Sequence, residues 1–232
     1  MERIPERVVR AVREDVRQRG WSLATDLPFI RGGAPDLEFV LGFAARLGRP
    51  SERDGGVAAW PVTPVTGDPQ ATFSQRSGHA ALHTDAAYRR DPERVVCLFA
   101  VRPAQDGGRS RLVAGKDVLD ALPDPLGRQL SRPDWEWRVP APFQPGTPFR
   151  DTVLSRDGKV RWRADTLRPA DTGQERAAAE FAARIETLPA VVEIPLREGD
   201  VLVLDNHRTL HGRTAFTDPC RFLVRVRLWD LP

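Results

Sequence analysis

The sequence predicts a mostly β protein, a sandwich or jelly roll flanked by helices. Three observations lead to this fold class. Short apolar or alternating segments dominate the chain from residue 82 onward, a helical pattern opens the chain, and one further helical pattern interrupts the strands late. With 232 residues the chain suits one domain with a substantial core. We therefore expect a single domain over 1–232, with a jelly-roll core roughly over 57–232 and a helical segment over 1–50.

Helical patterning occurs near the start and late in the chain. Residues 4–19 carry valines at helical spacing and precede Gly20, a residue type that commonly ends helices. Asp36 can cap a second helix in LEFVLGFAARLG. The clearest amphipathic helix is ERAAAEFAARIETL at 175–188, and DVLDALPDPLGRQL predicts a helix interrupted by proline.

Strand signals fill most of the remaining chain. RVVCLFAV at 94–101 is a continuous apolar run, which is typical of a buried strand, whereas WEWRVPAPF alternates. TVLSRDGKVRWRAD at 152–165 predicts two strands around an Asp-Gly hairpin turn. Further strands or edge segments are expected in WSLATDL, VAAWPVTPV, ATFSQRS, VVEIPL, GDVLVLDN, CRFLVRVRLWDL and, after its Gly-rich turn, DGGRSRLV.

Composition and charge argue against several classes of protein. The chain has 35 basic and 32 acidic residues, a near balance that predicts no nucleic-acid partner. It has no run of about 18 apolar residues, so no membrane span is expected. The charged first segment has no apolar core of the kind found in secretory signals. Cys97 and Cys220 fit no zinc spacing, and a reduced cytoplasmic location is the simplest expectation.

The four histidines of the chain lie in two distant stretches, which points to a shared site. His79 and His83 belong to SGHAALHTDAAY, and His207 and His211 belong to DNHRTLHGRTAF. On a strand, residues two apart leave the same face, so His83 and Asp85 would point together. His211 follows the strand in GDVLVLDN, and a loop could bring it across the mouth of the barrel. Two imidazoles and one carboxylate on one face of a metal form the facial triad of non-haem Fe(II) oxygenases.

A His-x-Asp pair alone is usually a surface turn, so the metal hypothesis depends on the second stretch and on nearby arginines. His79 and His207 are expected to lie behind the ligands or in solvent. Three arginines in CRFLVRVR are evenly spaced and could share one strand face: Arg221, Arg225 and Arg227. Three cations on one inward face would require anionic partners.

These motifs together resemble a known superfamily. LHTDAAYRRDPERVVCLFAVRPAQDGGRSRLV, taken with GDVLVLDNHRTLHGRTAF and RFLVR, resembles the Fe(II)/2-oxoglutarate oxygenases of the taurine dioxygenase and clavaminate synthase-like superfamily. The likeness is greatest to the clavaminate synthase and amino-acid hydroxylase branch, and it spans residues 82–228. It implies a double-stranded β-helix, with Fe(II) as metal, 2-oxoglutarate as cosubstrate and O₂ as oxidant. It also implies that His83, Asp85 and His211 are the catalytic metal ligands.

The resemblance implies roles for four further polar residues. Arg221 would clamp the distal carboxylate of 2-oxoglutarate, helped by the hydroxyl of Ser110, where relatives usually have threonine. Arg225 would meet an anionic group of the primary substrate, the alternative for Arg225 and Arg227 being a solvated strand face. Asp165 in VRWRADTL would reach the polar end of the substrate, the alternative being an ordinary turn at the end of a strand.

The implied reaction is hydroxylation of an unactivated C–H bond in a small substrate. An amino acid, a carboxylate-bearing metabolite or a carrier-bound natural-product intermediate would fit. Asp85 favours hydroxylation because halogenases of this kind lack the carboxylate, but desaturation and cyclisation use the same ligands. Two other classes stay open. A cupin-like metal enzyme that does not use 2-oxoglutarate has no reason to carry Arg221 with Ser110, and a non-catalytic binding protein on this fold has little reason to keep the ligands. Asn206 and Asp205 are candidates for orienting the imidazoles, and a packing or turn role for Asn206 is an equal alternative.

Overall fold

The computed structural model describes residues 4–53, 55–65, 73–143, 146–155 and 157–231. Within these ranges the helices are α1 (Glu6–Arg19), α2 (Leu37–Leu47), α3 (Gly115–Ala121), α4 (Asp124–Leu130) and α5 (Thr172–Thr187). The strands are β1 (Trp21–Ala24), β2 (Ile30–Arg31), β3 (Ala34–Pro35), β4 (Ala59–Val62), β5 (Ala80–His83), β6 (Val95–Arg102), β7 (Ser110–Ala114), β8 (Trp135–Trp137), β9 (Phe149–Asp151), β10 (Leu167–Arg168), β11 (Val192–Ile194), β12 (Val201–Asp205), β13 (Thr209–Arg213) and β14 (Phe222–Leu228). None of these helices is long and apolar enough to cross a bilayer.

Two antiparallel sheets form the centre of the molecule. One has the strand order β1-β12-β6-β14-β4 and the other has the order β11-β7-β13-β5. An apolar cluster joins their inner faces, with Leu202 and Leu204 from the first sheet and Leu112 and Ile194 from the second. The sheets therefore pack face to face, as in a jelly roll, and the predicted fold class is confirmed.

Helices α1 and α2 cover the outer face of the five-stranded sheet. Val12 of α1 and Phe43 of α2 are buried in one cluster with Phe99 of β6, and the two phenylalanine rings meet edge to face at 5.9 Å. Helix α1 ends at Gly20, whose φ of 88° is the left-handed conformation expected of a helix-ending glycine. The Asp36 side chain caps α2, as predicted. Strand β1 then pairs with β12, so the N-terminal segment contributes to the main sheet.

The outer face of the four-stranded sheet packs against α3, α4, α5 and the small sheet β10-β8-β9. Its core is aromatic: Trp135, Trp137 and Trp162 are all buried, and Trp162 meets Phe181 of α5 edge to face at 4.7 Å. Asp171 caps α5, the late helix that the sequence predicted. This layer fixes β5 and β13 from behind, which matters because both strands carry candidate metal ligands.

One strand prediction is wrong within the described residues. Part of ATFSQRS, Phe73–Gln75, forms a 3-10 turn, and residues 71–72 of that segment lie outside the described part. The short strand predicted in WSLATDL is present and ends at Ala24.

The predicted hairpin over 152–165 forms only next to its turn. Leu154 and Val160 form an antiparallel bridge, and hydrogen bonds on either side of it cross the hairpin at 3.0 and 2.8 Å. The local ladder ends there, because Ala164–Thr166 is a 3-10 turn and Trp162 exchanges hydrogen bonds with Thr84 instead. Long-range partners therefore take over beyond a short hairpin.

Candidate active site

The three predicted metal ligands meet at one point between the sheets. His83 ends β5, His211 lies in β13, and the two residues are direct cross-strand partners. Their Nε2 atoms lie 3.6 and 3.8 Å from Oδ1 of Asp85. One ligand atom from each residue falls within 4.8 Å of the others, and all three side chains are buried. The geometry brings together the set that the sequence predicted.

Asp85 reaches the site by a different route from the one predicted. It lies beyond the end of β5, in a turn where Ala86 has a φ of +55°, so His83 and Asp85 do not share a strand face. Asn206, just after β12, fixes this turn. The Asp85 N–H donates to Oδ1 of Asn206 at 2.7 Å, and Nδ2 of Asn206 donates to the Asp85 carbonyl at 3.0 Å. These two bonds stabilise a left-handed conformation that a non-glycine residue rarely adopts.

Neither residue proposed to orient the imidazoles does so. Nδ1 of His83 is 2.8 Å from the Ala81 carbonyl, which can only accept, so the ring donates there and its Nε2 lies toward Asp85. Nδ1 of His211 has no hydrogen-bond partner among the described residues. Asp205 is paired instead with Arg208, at 3.0 Å. The role of Asn206 is to hold the Asp85 turn.

The protonation states of the triad suit a metal ion. Burial acts to raise the pKa of the Asp85 carboxyl, but Arg225, whose Nη1 lies 3.3 Å from Oδ2, and His83 hold that pKa well below its ordinary value. Burial and the neighbouring His83 lower the pKa of His211 to about 3. At neutral pH the site therefore offers a carboxylate from Asp85 and an uncharged imidazole from His211. Together with His83 they form the two-histidine, one-carboxylate donor set that suits Fe(II).

The three evenly spaced arginines share a face, as predicted. Arg221, Arg225 and Arg227 all line the cavity that contains the triad. Arg227 lies 3.5 Å from the buried carboxylate of Glu93, whereas Arg225 pairs with Asp85. Nη1 of Arg221 is buried without a hydrogen-bond partner in the described part of the chain. Arg221 is therefore a buried cation whose guanidinium is open to an anion from solution.

A second cation, Arg213, lies at the same end of the cavity. Arg213 is the cross-strand partner of Ser110, the predicted cosubstrate contact. The guanidinium carbons of Arg213 and Arg221 lie 5.2 and 4.9 Å from the centre of the Phe216 ring. Burial lowers the pKa of both guanidinium groups to about 10, and Arg213 contributes to the shift at Arg221. Arg213 was not identified from the sequence, although its spacing of two from His211 on a strand is a signal that could have identified it.

Asp165 does not line the cavity; Arg163 does. The Asp165 carboxylate receives two hydrogen bonds from the Arg163 guanidinium, at 2.8 and 3.0 Å, and its side chain is 47% exposed. Trp60, opposite Arg225 in the register of β4 and β14, also lines the cavity. Arg163 and Trp60 were not identified from the sequence.

Gly212 allows the two ligand-bearing strands to approach each other. A Cβ at this position would lie 2.4 Å from the carbonyl oxygen of Ala80 on β5. The register between the strands is irregular here, between His211 and Arg213. Absence of a side chain at 212 is therefore a condition for the two imidazoles to lie 4.4 Å apart, measured between ring centres.

The jelly roll, the buried triad and the buried arginines define an oxygenase of the Fe(II)- and 2-oxoglutarate-dependent class. Residues 3–227 match the model of the family described as taurine catabolism dioxygenase TauD, TfdA family, and the chain belongs to that family. It is also 26% identical, over 157 residues, to the taurine hydroxylase-like protein SAT17 of Stachybotrys chartarum (strain CBS 109288 / IBT 7711). That match covers 60% of this chain and 40% of SAT17, so the chain spans well under two thirds of its relative.

Solved structures share the fold over nearly the whole chain. Asparagine oxygenase in complex with Fe(II), 2S,3S-3-hydroxyasparagine and succinate has a TM-score of 0.81 and 23% identity, covering 97% of this chain and 80% of its own. The non-haem iron oxygenase OrfP with Fe, succinate and (3R,4R)-dihydroxy-L-Arg has a TM-score of 0.74 and 20% identity, covering 97% and 81%. OrfP with Fe and alpha-ketoglutaric acid has a TM-score of 0.73 and 20% identity, covering 97% and 80%. These likenesses confirm the fold that the resemblance implied.

Proposed function

We propose that this chain hydroxylates an unactivated C–H bond of a small polar substrate, an amino acid or an amino-acid-derived intermediate. The observation that carries the proposal is the buried set of His83, Asp85 and His211 beside Arg221, a buried cation with an open hydrogen-bonding position. The amino-acid class is supported by the structurally similar oxygenases, which were solved with hydroxylated asparagine and arginine. Because Asp85 is present as the third ligand, hydroxylation is favoured over halogenation.

The three ligands and their neighbours would hold Fe(II) on one side only. With 2-oxoglutarate and O₂, the bound iron supplies the oxidising chemistry, and the protein supplies orientation and shielding. The Nδ1 bond of His83 to Ala81 fixes one imidazole, and the Asn206 bonds fix the Asp85 backbone. Burial of all three ligands excludes bulk water from that side of the ion.

At the far end of the cavity, Arg221 and Ser110 would bind the distal carboxylate of 2-oxoglutarate. A guanidinium matches a carboxylate with two parallel hydrogen bonds, and the buried Nη1 of Arg221 has the capacity for one of them. Arg213 adds a second positive charge beside Ser110. A dianionic cosubstrate would therefore neutralise cations that the described residues leave without a carboxylate.

On the substrate side, Arg225 would bind an anionic group. Its Nη1 contacts Asp85, whereas its Nε is buried with no hydrogen-bond partner in the described ranges. Nη1 of Arg225 thus contacts the metal ligand Asp85, and Nε can donate a hydrogen bond to a substrate carboxylate. Asp165 was expected to meet the substrate directly; its pairing with Arg163 favours an indirect role instead.

We further propose that the helical segment and the jelly-roll core form one domain, since β1 pairs with β12. A cytoplasmic location stays a prediction.

A two-stage experiment tests the function. With Mn²⁺ as redox-inert metal, 2-oxoglutarate should raise the melting temperature, because a ligand at about 100 times its Kd stabilises a protein by roughly 2.7 kcal/mol. With Fe(II) and O₂, the protein should then form succinate and, with the true substrate, a product heavier by one oxygen atom. No response to 2-oxoglutarate would favour the cupin-like alternative. Binding without any succinate would favour a non-catalytic protein, and a product lighter by two hydrogens would indicate desaturation.

A further inference from the structure

Arg163 forms part of the surface that a substrate would meet. Its guanidinium carbon lies 5.6 Å from the ring centre of Tyr88, and Tyr88 stacks on Phe143 with ring centres 5.5 Å apart and planes 19° apart. All three side chains line the cavity that holds the triad. The aromatic pair provides a flat apolar support, and the guanidinium adds a positive charge at its edge.

Asp165 fixes this guanidinium from the outside. Two nearly parallel hydrogen bonds, Nε to Oδ1 at 2.8 Å and Nη2 to Oδ2 at 3.0 Å, set the plane of the Arg163 group. Thr166 clamps the same turn, because its N–H and its hydroxyl both donate to the Arg163 carbonyl at 3.1 Å. The Arg163 side chain is 9% exposed and that of Asp165 is 47% exposed. The positive end of the pair therefore faces the cavity, while water screens the negative end.

More guanidinium groups than carboxylates line the cavity. Among the described residues that line it, the arginines are Arg163, Arg213, Arg221, Arg225 and Arg227, and the only carboxylate is Asp85. Asp165 and Glu93 pair with Arg163 and Arg227 from outside the lining, so the remaining positive excess is that of Arg213 and Arg221. Iron(II) and dianionic 2-oxoglutarate would cancel each other's charge and leave this excess in place. A substrate with a net positive charge would meet no carboxylate on the described lining apart from the metal ligand, which is costly in a buried site.

Two buried donors on neighbouring strands face the same space. Arg225 and Trp60 are cross-strand partners, and both line the cavity. Nε of Arg225 and Nε1 of Trp60 are each buried without a hydrogen-bond partner in the part of the chain described. Buried donors of this kind need acceptors, and a carboxylate can accept from both at once.

We infer that the substrate carries two anionic groups, one bound by Arg225 with Trp60 and the other by Arg163. This inference rests on the proposed function and narrows its substrate class to small diacids, acidic amino acids included. The second group is a carboxylate or a phosphate, since a guanidinium binds both with the same paired geometry. Asp165 is a positioning residue that acts through Arg163.

The test measures equilibrium binding to the protein loaded with Mn²⁺ and 2-oxoglutarate, by calorimetry. Three matched pairs serve as probes: L-aspartate with L-asparagine, L-glutamate with L-glutamine, and O-phospho-L-serine with L-serine. L-Arginine is the cationic probe. In at least one pair the amino acid with the acidic side chain should bind about tenfold more tightly than its partner with an uncharged side chain. A difference of this size is the usual effect of a charge-assisted hydrogen bond. The pair that shows this preference distinguishes carboxylate from phosphate.

Substitution at Arg163 should remove the preference and nothing else. In Arg163→Gln the acid and its partner should bind within about threefold of each other, while Arg163→Lys keeps part of the difference. Asp165→Asn should reduce the preference less than Arg163→Gln does. Arg168→Gln, an exposed position on β10, is the matched control and should behave as the wild type. An unchanged affinity for 2-oxoglutarate in each variant shows that the site is still folded.

Three results would overturn the inference: equal or tighter binding of the uncharged partners, tight binding of L-arginine, or binding of none of the acids at millimolar concentration. Persistence of the full preference in Arg163→Gln would remove Arg163 from the recognition of the acid. Failure of 2-oxoglutarate itself to bind the Mn²⁺ protein is a separate outcome, which contradicts the proposed function.

Discussion

The two ends of the cavity hold their arginines differently. At the end with Ser110, Arg213 and Arg221 have no carboxylate partner among the described residues. Toward the substrate side, Arg163 is paired with Asp165 and Arg225 with Asp85. A buried cation without a counter-charge is unfavourable, so we propose that the distal carboxylate of 2-oxoglutarate completes the first end. The other end is balanced in the absence of a ligand, which leaves it able to select among substrates.

The largest expected effect comes from removing the metal site that both ends share. His211→Ala should abolish Mn²⁺ binding and reduce 2-oxoglutarate-dependent succinate formation below detection, because two ligands cannot form the facial triad. Calorimetry and a succinate assay measure the two quantities. His79→Ala is the matched control, since His79 is 49% exposed in side chain and pairs only weakly with Glu186, at 3.4 Å. Normal turnover in His211→Ala would show that the ligands are wrongly assigned.

The next effect should come from Arg221. Arg221→Gln is expected to weaken 2-oxoglutarate binding on the order of 100-fold, because it removes one partner of a buried charge pair. The binding of 2-oxobutyrate, which has no distal carboxylate, should change little. The difference between the two ligands, measured on the Mn²⁺ protein, isolates the distal contact. Equal losses for both ligands would mean that Arg221 supports the fold and not the cosubstrate.

Arg213 should have a smaller effect of the same kind. Arg213→Gln is expected to weaken 2-oxoglutarate binding by about tenfold, since its charge lies beside Ser110 and one of its N–H groups already bonds to the Gly78 carbonyl. The affinity for 2-oxobutyrate again serves as the internal control. If Arg213→Gln binds 2-oxoglutarate as tightly as the wild type, the contrast between the two ends rests on Arg221 alone.

The smallest expected effect is that of Glu186→Gln on the free energy of unfolding. Ligand binding at both ends of the cavity should stay unchanged. Glu186 accepts from the Leu82 N–H of edge strand β5 at 2.6 Å and pairs with Arg111. Burial acts to raise the pKa of Glu186, but these partners hold it below its ordinary value of 4.5. The stabilisation is therefore present above pH 4.5 and is lost as the pH falls through the lower folded-state value. With solvent screening, Glu186→Gln should lose under about 1 kcal/mol at pH 7.

Urea unfolding at pH 7 and at a pH below 4.5 measures the difference in free energy of unfolding between the wild type and Glu186→Gln. This difference should shrink toward zero as the wild-type carboxyl is protonated. A change in 2-oxoglutarate affinity in Glu186→Gln would show that β5 transmits the effect to the cavity, contrary to expectation.

The sequence predicted those features that depend on local pattern. The triad followed from the His-x-Asp motif with a distant histidine, the shared face of Arg221, Arg225 and Arg227 followed from even spacing, and the cap at Asp36 followed from residue type. The family match then confirmed the class of enzyme.

Other features depend on partners distant in sequence, which no local pattern specifies. The hairpin over 152–165 is cut short where Trp162 bonds to Thr84, and the Asp85 turn is held by Asn206. The pairing of Asp165 with Arg163 follows from the 3-10 turn that a strand prediction did not include. The charge balance of the cavity depends on these turns, because they place Asp85 and Asp165 beside their arginine partners.

Gly212 changes how a related sequence should be judged active or inactive. A methyl group here would push β5 away from β13 by colliding with the Ala80 oxygen, and the imidazoles would separate with the strands. A homologue could then keep every coordinating side chain and still fail to retain iron. An inventory of ligands alone would count such a protein as an enzyme, because it does not include the residue that follows the second histidine.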